Sequence, residues 1–309
     1  MTETGPIDLL LVEDDPLDAR LVREMLKDGA PPGFTVTHLQ RLDDTLAYIV
    51  DHGSDVILLD LTLPDGQGLH SLTRLHMAAP HVPIVVMSAD ADETLAITSV
   101  REGAQNYLVK GRVNSDHLVR ALRFAIERQR TEDRLRQLAY HDALTGLPNR
   151  ALFQDRVGQA LAQARRHNTS VALLFLDLDG FKAINDTLGH EAGDELLREV
   201  GRRLQACTRE EDTVARLAGD EFTVVLPAIS TRDAAAAVAQ KIIDMLSTGV
   251  VLGGHAVSII ASIGISVYPD DGDNSVPLLS RADAAMYTTK HHGKSAYAFA
   301  QAGQGVGRH

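Results

Sequence analysis

Between residues 7 and 110 the chain alternates five apolar runs with four amphipathic ones, and that alternation restricts the fold more than any other feature. Ile7–Val12, Phe34–Leu39, Val56–Asp60, Ile84–Ser88 and Asn106–Lys110 read as strands. Leu17–Leu26, Leu42–Val50, Leu69–His76 and Thr94–Glu102 carry helical spacing. Such an order implies an α/β unit, a parallel sheet wrapped by helices, with any site at the carboxyl ends of the strands. Those ends carry chemistry. Glu13 and Asp14 follow the first strand, Asp60 ends the third, Ser88 the fourth and Lys110 the fifth.

A second constraint lies further on. The apolar run Val171–Leu176 closes on Asp177-Leu178-Asp179, which reads as a buried strand ending in two carboxylates. Some forty residues later, Gly219-Asp220-Glu221 forms a tight turn between extended stretches, Thr213–Leu217 and Phe222–Leu226. If these strands are neighbours, Asp177 and Asp220 converge, and their repulsion calls for a divalent cation with hard oxygen ligands. A length of 309 residues suits two domains. The net charge of −12 argues against general nucleic-acid binding, since no basic surface would release counterions. No apolar run reaches the ~18 residues of a membrane span, and the start lacks the basic flank of a signal peptide, so a cytoplasmic protein is expected. Cys207 is the only cysteine, which leaves no internal disulfide.

The first half, in the pattern Asp60-Leu-Thr-Leu-Pro64-Asp-Gly66, resembles the receiver domain of response regulators. The resemblance implies a flavodoxin-like (βα)5 fold in which Asp60 accepts a phosphoryl group from a histidine kinase. Glu13 and Asp14, with Asp60, would hold Mg2+; Ser88 and Lys110 would meet the phosphoryl oxygens, and Tyr107 would be the aromatic switch residue. Gly111 stands where receivers usually carry proline. Residues 114–141 then read as one helix without Gly or Pro, a stiff stalk whose apolar seam breaks at Arg128, Gln129 and Glu132.

The second half opens with Asp142-Ala-Leu-Thr145-Gly146-Leu-Pro148-Asn149-Arg150 and resembles the GGDEF family of diguanylate cyclases, with Ala218 where that family usually has its first glycine. An α+β domain related to the nucleotide-cyclase, ferredoxin-like fold is implied, with a mainly antiparallel sheet. The expected segments are receiver 1–125, helical linker 126–141, cyclase domain 142–300 and tail 301–309. By this resemblance Asp177, the Leu178 carbonyl and Asp220 coordinate Mg2+ or Mn2+, with Glu221 beside them. Gly180-Phe181-Lys182 supplies the phosphate loop at a helix start, and Lys290 and Lys294 match the cations for the outer phosphates. Asn185 and Asp194 match the guanine contacts, Asp194 also serving as cap of a long helix Glu195–Ala206 after a loop at 189–194. Arg209 and Asp212 sit at the spacing of a product-inhibition site.

The implied activity is condensation of two GTP into cyclic di-GMP with release of pyrophosphate, gated by phosphorylation and inhibited by product. One such domain binds one GTP, so a homodimer is expected. The alternative is a catalytically weak or inactive regulator that binds GTP or cyclic di-GMP and signals by protein contact. No Glu-Ala-Leu signature is present, so hydrolysis of cyclic di-GMP is not expected from these residues. Ala218 is the residue on which turnover hinges: a positive φ there would cost a Cβ-bearing residue on the order of 1 kcal/mol.

Overall fold

The computed structural model describes residues 5–27, 33–292 and 295–301. Contacts divide the chain into two units that meet between Leu135 and Arg136. Lys294 and the tail from residue 303 lie outside the described residues.

In the first unit the alternation folds as expected: β1 (Ile7–Val12), α1 (Pro16–Lys27), β2 (Phe34–Leu39), α2 (Leu42–Asp51) and β3 (Val56–Leu59). A two-residue hairpin pair that the sequence does not advertise follows, β4 (Thr62–Leu63) with β5 (Gly66–Gln67). Then come α3 (Leu69–Ala78), β6 (Ile84–Ser88), α4 (Glu93–Arg101), β7 (Ala104–Val109) and α5 (Ser115–Tyr140), whose residues from Arg136 onward fall in the second unit. The sheet is wholly parallel in the order β2-β1-β3-β6-β7, the flavodoxin-like arrangement. Strand alternation splits the core. Leu9, Leu11 and Leu58 pack with α1 and α5, whereas Leu10, Ile57 and Leu59 pack with α2 and α3. All strand carboxyl ends then emerge on one side, which gathers the acids.

The second unit runs α6 (Arg150–His167), β8 (Ser170–Leu178), α7 (Phe181–Leu188), α8 (His190–Cys207), β9 (Thr213–Ala218) and β10 (Glu221–Ile229). It continues with α9 (Arg232–Ser247), β11 (Val250–Leu252), β12 (His255–Val257), β13 (Ala261–Tyr268), α10 (Ser275–His292) and β14 (Tyr297–Phe299). Its main sheet has the order β14-β13-β8-β10-β9, antiparallel except for β13 with β14. One face buries Leu174 and Leu176 against α8 and α9; the other buries Leu173 and Phe175 against α6 and α10. Period-2 alternation therefore puts Asp177 on the α6/α10 face. Helix α10 is pressed hard onto β13: a Cβ at Gly264 would overlap the Ala282 carbonyl oxygen. Lys290, near the end of α10, reaches Asp177.

One expectation is corrected here. Residues 190–194 are helical, so α8 starts five residues before Glu195 and Asp194 lies inside it rather than capping it. The break between α7 and α8 is a single residue, Gly189, at φ 86°. Only glycine adopts that region without penalty, so the two helices meet in a corner instead of a loop.

Candidate functional site

In the first unit the predicted acids and Lys110 meet, while Ser88 and Tyr107 converge on the Asp90 backbone. Glu13, Asp14 and Asp60 are the one three-membered group of close metal-ligating side chains among the described residues, their ligand atoms within 4.8 Å of one another. Glu13 and Asp60 are buried, Asp14 exposed. Burial pushes the Glu13 carboxyl up to about 7; the nearby Asp60 charge adds to the rise, and Lys110 opposes it. The Lys110 ammonium lies 2.7 Å from Asp60 Oδ2, 2.7 Å from Glu13 Oε2 and 2.8 Å from Asp18 Oδ2. Desolvation alone would lower this lysine, but its three carboxylate partners outweigh burial and raise it. Ser88 is buried, its hydroxyl accepting from the Asp90 amide at 3.3 Å, and the half-buried Tyr107 donates its hydroxyl to the Asp90 carbonyl at 2.8 Å. Several converging carboxylates suit a hard divalent cation.

In the second unit β10 pairs with β8 so that Glu221 faces Asp177, and Asp220 stands one residue back in the turn. Gly219 carries the positive φ of that turn, 50°; Ala218 ends β9 in exposed, extended backbone and is absent from the non-glycine residues with positive φ. The feared strain at Ala218 does not exist. Burial raises the Asp220 carboxyl above its ordinary range, and the Asp177 charge raises it further. Glu221 is raised as well, first by burial, with Arg150 opposing and Asp283, Asp177 and Asp220 contributing. Such mutually destabilised carboxylates fit a cation between them. Lys290 Nζ lies 2.6 Å from Asp177 Oδ1, so this lysine presently neutralises the acid. Asp179 points elsewhere and accepts from the buried Ser262 hydroxyl at 2.7 Å.

Gly180 starts α7 at φ 83°, leaving Phe181 half-buried and Lys182 exposed at the helix start. Asn185 sits against Gly193, where a Cβ would overlap its Oδ1, and this close approach brings Asn185 beside the residue preceding Asp194. Arg209 and Asp212 lie together at the other end of β9: the Arg209 amide donates to Asp212 Oδ2 at 2.9 Å, and both line a cavity of about 800 Å³. Burial raises Asp212.

Sequence reasoning missed the residues that brace the turn. Arg216 donates from Nη1 to Asp142 Oδ1 at 2.8 Å and from Nε to the Gly219 carbonyl at 2.9 Å. Asp142 also accepts from the Thr145 amide and hydroxyl. The Asp-x-x-Thr spacing was a visible signal for that local cap; nothing in the sequence pairs it with Arg216, 74 residues away. Arg150 and Asp283, which act on Glu221 through charge, were likewise invisible because α6 and α10 supply them.

A parallel receiver-type unit followed by an antiparallel sheet with carboxylates at a hairpin turn defines a response regulator with a nucleotide-cyclase-type output domain. The model of the diguanylate cyclase GGDEF domain matches residues 139–296, and that of the response regulator receiver domain matches residues 9–123. The chain belongs to the GGDEF family and carries a receiver domain ahead of it. Among curated relatives, the bifunctional diguanylate cyclase/cyclic di-GMP phosphodiesterase MucR of Pseudomonas aeruginosa is 49% identical over 170 residues, 55% of this chain and 25% of that protein. Diguanylate cyclase TpbB of the same species is 43% identical over 53% of this chain and 38% of its own length. The chain thus spans well under half the length of these relatives. The solved GGDEF domain of TpbB covers 52% of this chain and 95% of that one, at 42% identity and TM-score 0.51. The coiled coil and GGDEF domain of DgcB from Caulobacter crescentus, solved in complex with c-di-GMP, covers 57% and 93% at 29% identity and TM-score 0.52. Among the described residues, no helix is long and apolar enough to cross a membrane.

Proposed function

We propose that the protein is a phosphorylation-regulated diguanylate cyclase acting as a homodimer in the cytoplasm. The observation that carries this reading is the pairing of β8 with β10, which sets Asp177 opposite Glu221 and beside Asp220 on the face covered by α6 and α10. Asp177, the Leu178 carbonyl and Asp220 would hold Mg2+ or Mn2+, which supplies charge neutralisation at the α-phosphate and a lowered pKa at the attacking 3′-hydroxyl. The backbone at Gly180-Phe181-Lys182, at the start of α7, receives phosphate oxygens. Lys290 leaves Asp177 for an outer phosphate, and Lys294 would be its companion. Asn185 and Asp194, on the corner of α7 and α8, meet the O6 and N–H edge of guanine. Each domain holds one GTP, and two facing domains bring each 3′-hydroxyl to the other's α-phosphate, closing the ring as pyrophosphate leaves.

Asp60 would take a phosphoryl group from a histidine kinase, with Glu13 and Asp14 holding the cation and Ser88, Tyr107 and Lys110 responding to it. Phosphorylation biases which dimer packing forms. Arg209 and Asp212 bind the product at the cavity they line, limiting turnover. Incubation of the purified protein with GTP and Mg2+ tests the reading. Cyclic di-GMP and pyrophosphate are expected from the wild type and none from Asp220→Ala; a wild type that makes no cyclic dinucleotide, with or without acetyl phosphate, points instead to the non-catalytic regulator.

A further inference from the structure

The ammonium of Lys110 has three N–H donors, and three carboxylates surround it. Two belong to the acid group at the strand ends. The third, Asp18, comes from the first turn of α1, a helix anchored by buried Ala19, Val22 and Leu26. Its carboxylate is thereby held at a fixed place beside the pocket, while the strand ends supply the others. The backbone beyond the lysine accommodates this arrangement: Gly111 has φ 76°, which proline cannot adopt, and the Arg112 amide closes the turn onto the Val109 carbonyl at 3.1 Å.

We propose that Asp18 is a positioning residue that restrains phosphoryl transfer to Asp60. The inference rests on the reading of Asp60 as the acceptor. In that transfer an Asp60 carboxylate oxygen forms a bond to phosphorus as the bond from phosphorus to the leaving atom breaks: the imidazole nitrogen of a kinase phosphohistidine, or the acetate oxygen of acetyl phosphate, acetate then leaving. The incoming group brings additional negative charge and must win an N–H from Lys110. Asp18 opposes both requirements, by adding one more anion at the pocket and by occupying one of the lysine's donors. Charge outweighs the lost hydrogen bond, because a unit charge a few ångströms away at a partly sheltered site acts more strongly than one exchangeable N–H contact.

The test compares the wild type, Asp18→Asn, Asp18→Glu and Asp60→Asn, all as full-length protein, in their rate of phosphorylation by acetyl phosphate. Asp18→Asn, which keeps an acceptor oxygen but loses the charge, is expected to take up phosphate about tenfold faster at low salt. The gain shrinks at 1 M salt, where the screening length falls to about 3 Å, without vanishing, since partly buried charges are screened less; Asp18→Glu stays slow. A packing role alone would give no such salt dependence. In protein without added metal, acylation of Lys110 by an amine-reactive reagent should rise in Asp18→Asn. An unchanged or slower rate in Asp18→Asn, a gain indifferent to salt, or unchanged Lys110 acylation overturns the inference while leaving Asp60 as acceptor. Equal labelling of the wild type and Asp60→Asn overturns the acceptor reading, and the role of Asp18 with it.

Discussion

Replacing Arg216 by alanine should damage both stability and turnover, and the two losses separate. The side chain is 11% exposed and its partner Asp142 23%, so their 2.8 Å ion pair is largely sheltered from solvent. Truncation removes one charge-assisted bond to Asp142 and one to the Gly219 carbonyl. Asp142 keeps its two bonds from Thr145, which spares part of the penalty of a stranded charge. The expected loss is about 2–3 kcal/mol, between the cost of a charged hydrogen bond and that of a broken buried pair. It should depend on pH. Burial alone would raise the Asp142 carboxyl, but bonds from Thr145 and Arg216 outweigh it and hold the group below the usual range. A depressed carboxyl stabilises fully above its unfolded value of about 3.9 and loses that contribution as pH falls through the folded value. The wild-type advantage over Arg216→Ala should therefore be complete at neutral pH and narrow below about pH 4. Urea unfolding across pH measures it. Turnover, assayed where both proteins are folded, should fall about a hundredfold, because an unbraced turn lets Asp220 shift by about 1 Å, more than a positioned catalytic group tolerates. Equal unfolding midpoints, or a destabilised variant with wild-type turnover, would refute the bracing role.

Two further substitutions probe the glycine geometry. Ala218→Gly should cost about 0.5–1 kcal/mol of stability, from added unfolded-state freedom, and leave turnover within about twofold, since Ala218 is exposed and extended; a large gain in turnover would show that the methyl group crowds the nucleotide. Gly193→Ala favours helix α8 by about 1 kcal/mol in intrinsic propensity yet drives a Cβ into Asn185 Oδ1. GTP affinity, by calorimetry, should drop at least severalfold while the thermal midpoint moves little, and unchanged affinity would remove Asn185 from the guanine contacts.

Much of this architecture was legible because it is periodic. The five strands of the receiver and the long helix α5 follow from alternation and from the absence of Gly and Pro between residues 115 and 140. The convergence of Asp177 on the Gly219 turn followed from reading Val171–Leu176 and Phe222–Leu226 as neighbouring strands, which they are. Helix α8 was misjudged at its start because Gly189 and Gly193 read as loop residues. One does break the chain, at positive φ, but the other sits inside the helix, where a side chain would strike Asn185. What stayed hidden are long-range polar contacts: Arg216 with Asp142, Lys110 with Asp18, and Lys290 with Asp177. Ion pairs between charged side chains leave no periodic trace, and many sequences of the same pattern would pair differently.

The most direct measurement is a structure of the protein with Mn2+ and a non-hydrolysable GTP analogue, using anomalous scattering to locate the metal. A manganese peak bonded to Asp177, the Leu178 carbonyl and Asp220 is expected, with phosphates over Gly180-Phe181 and Lys290 drawn off Asp177 toward them. A nucleotide bound elsewhere, or one bound there with Asp177 still paired to Lys290 and no metal beside Asp220, would contradict it.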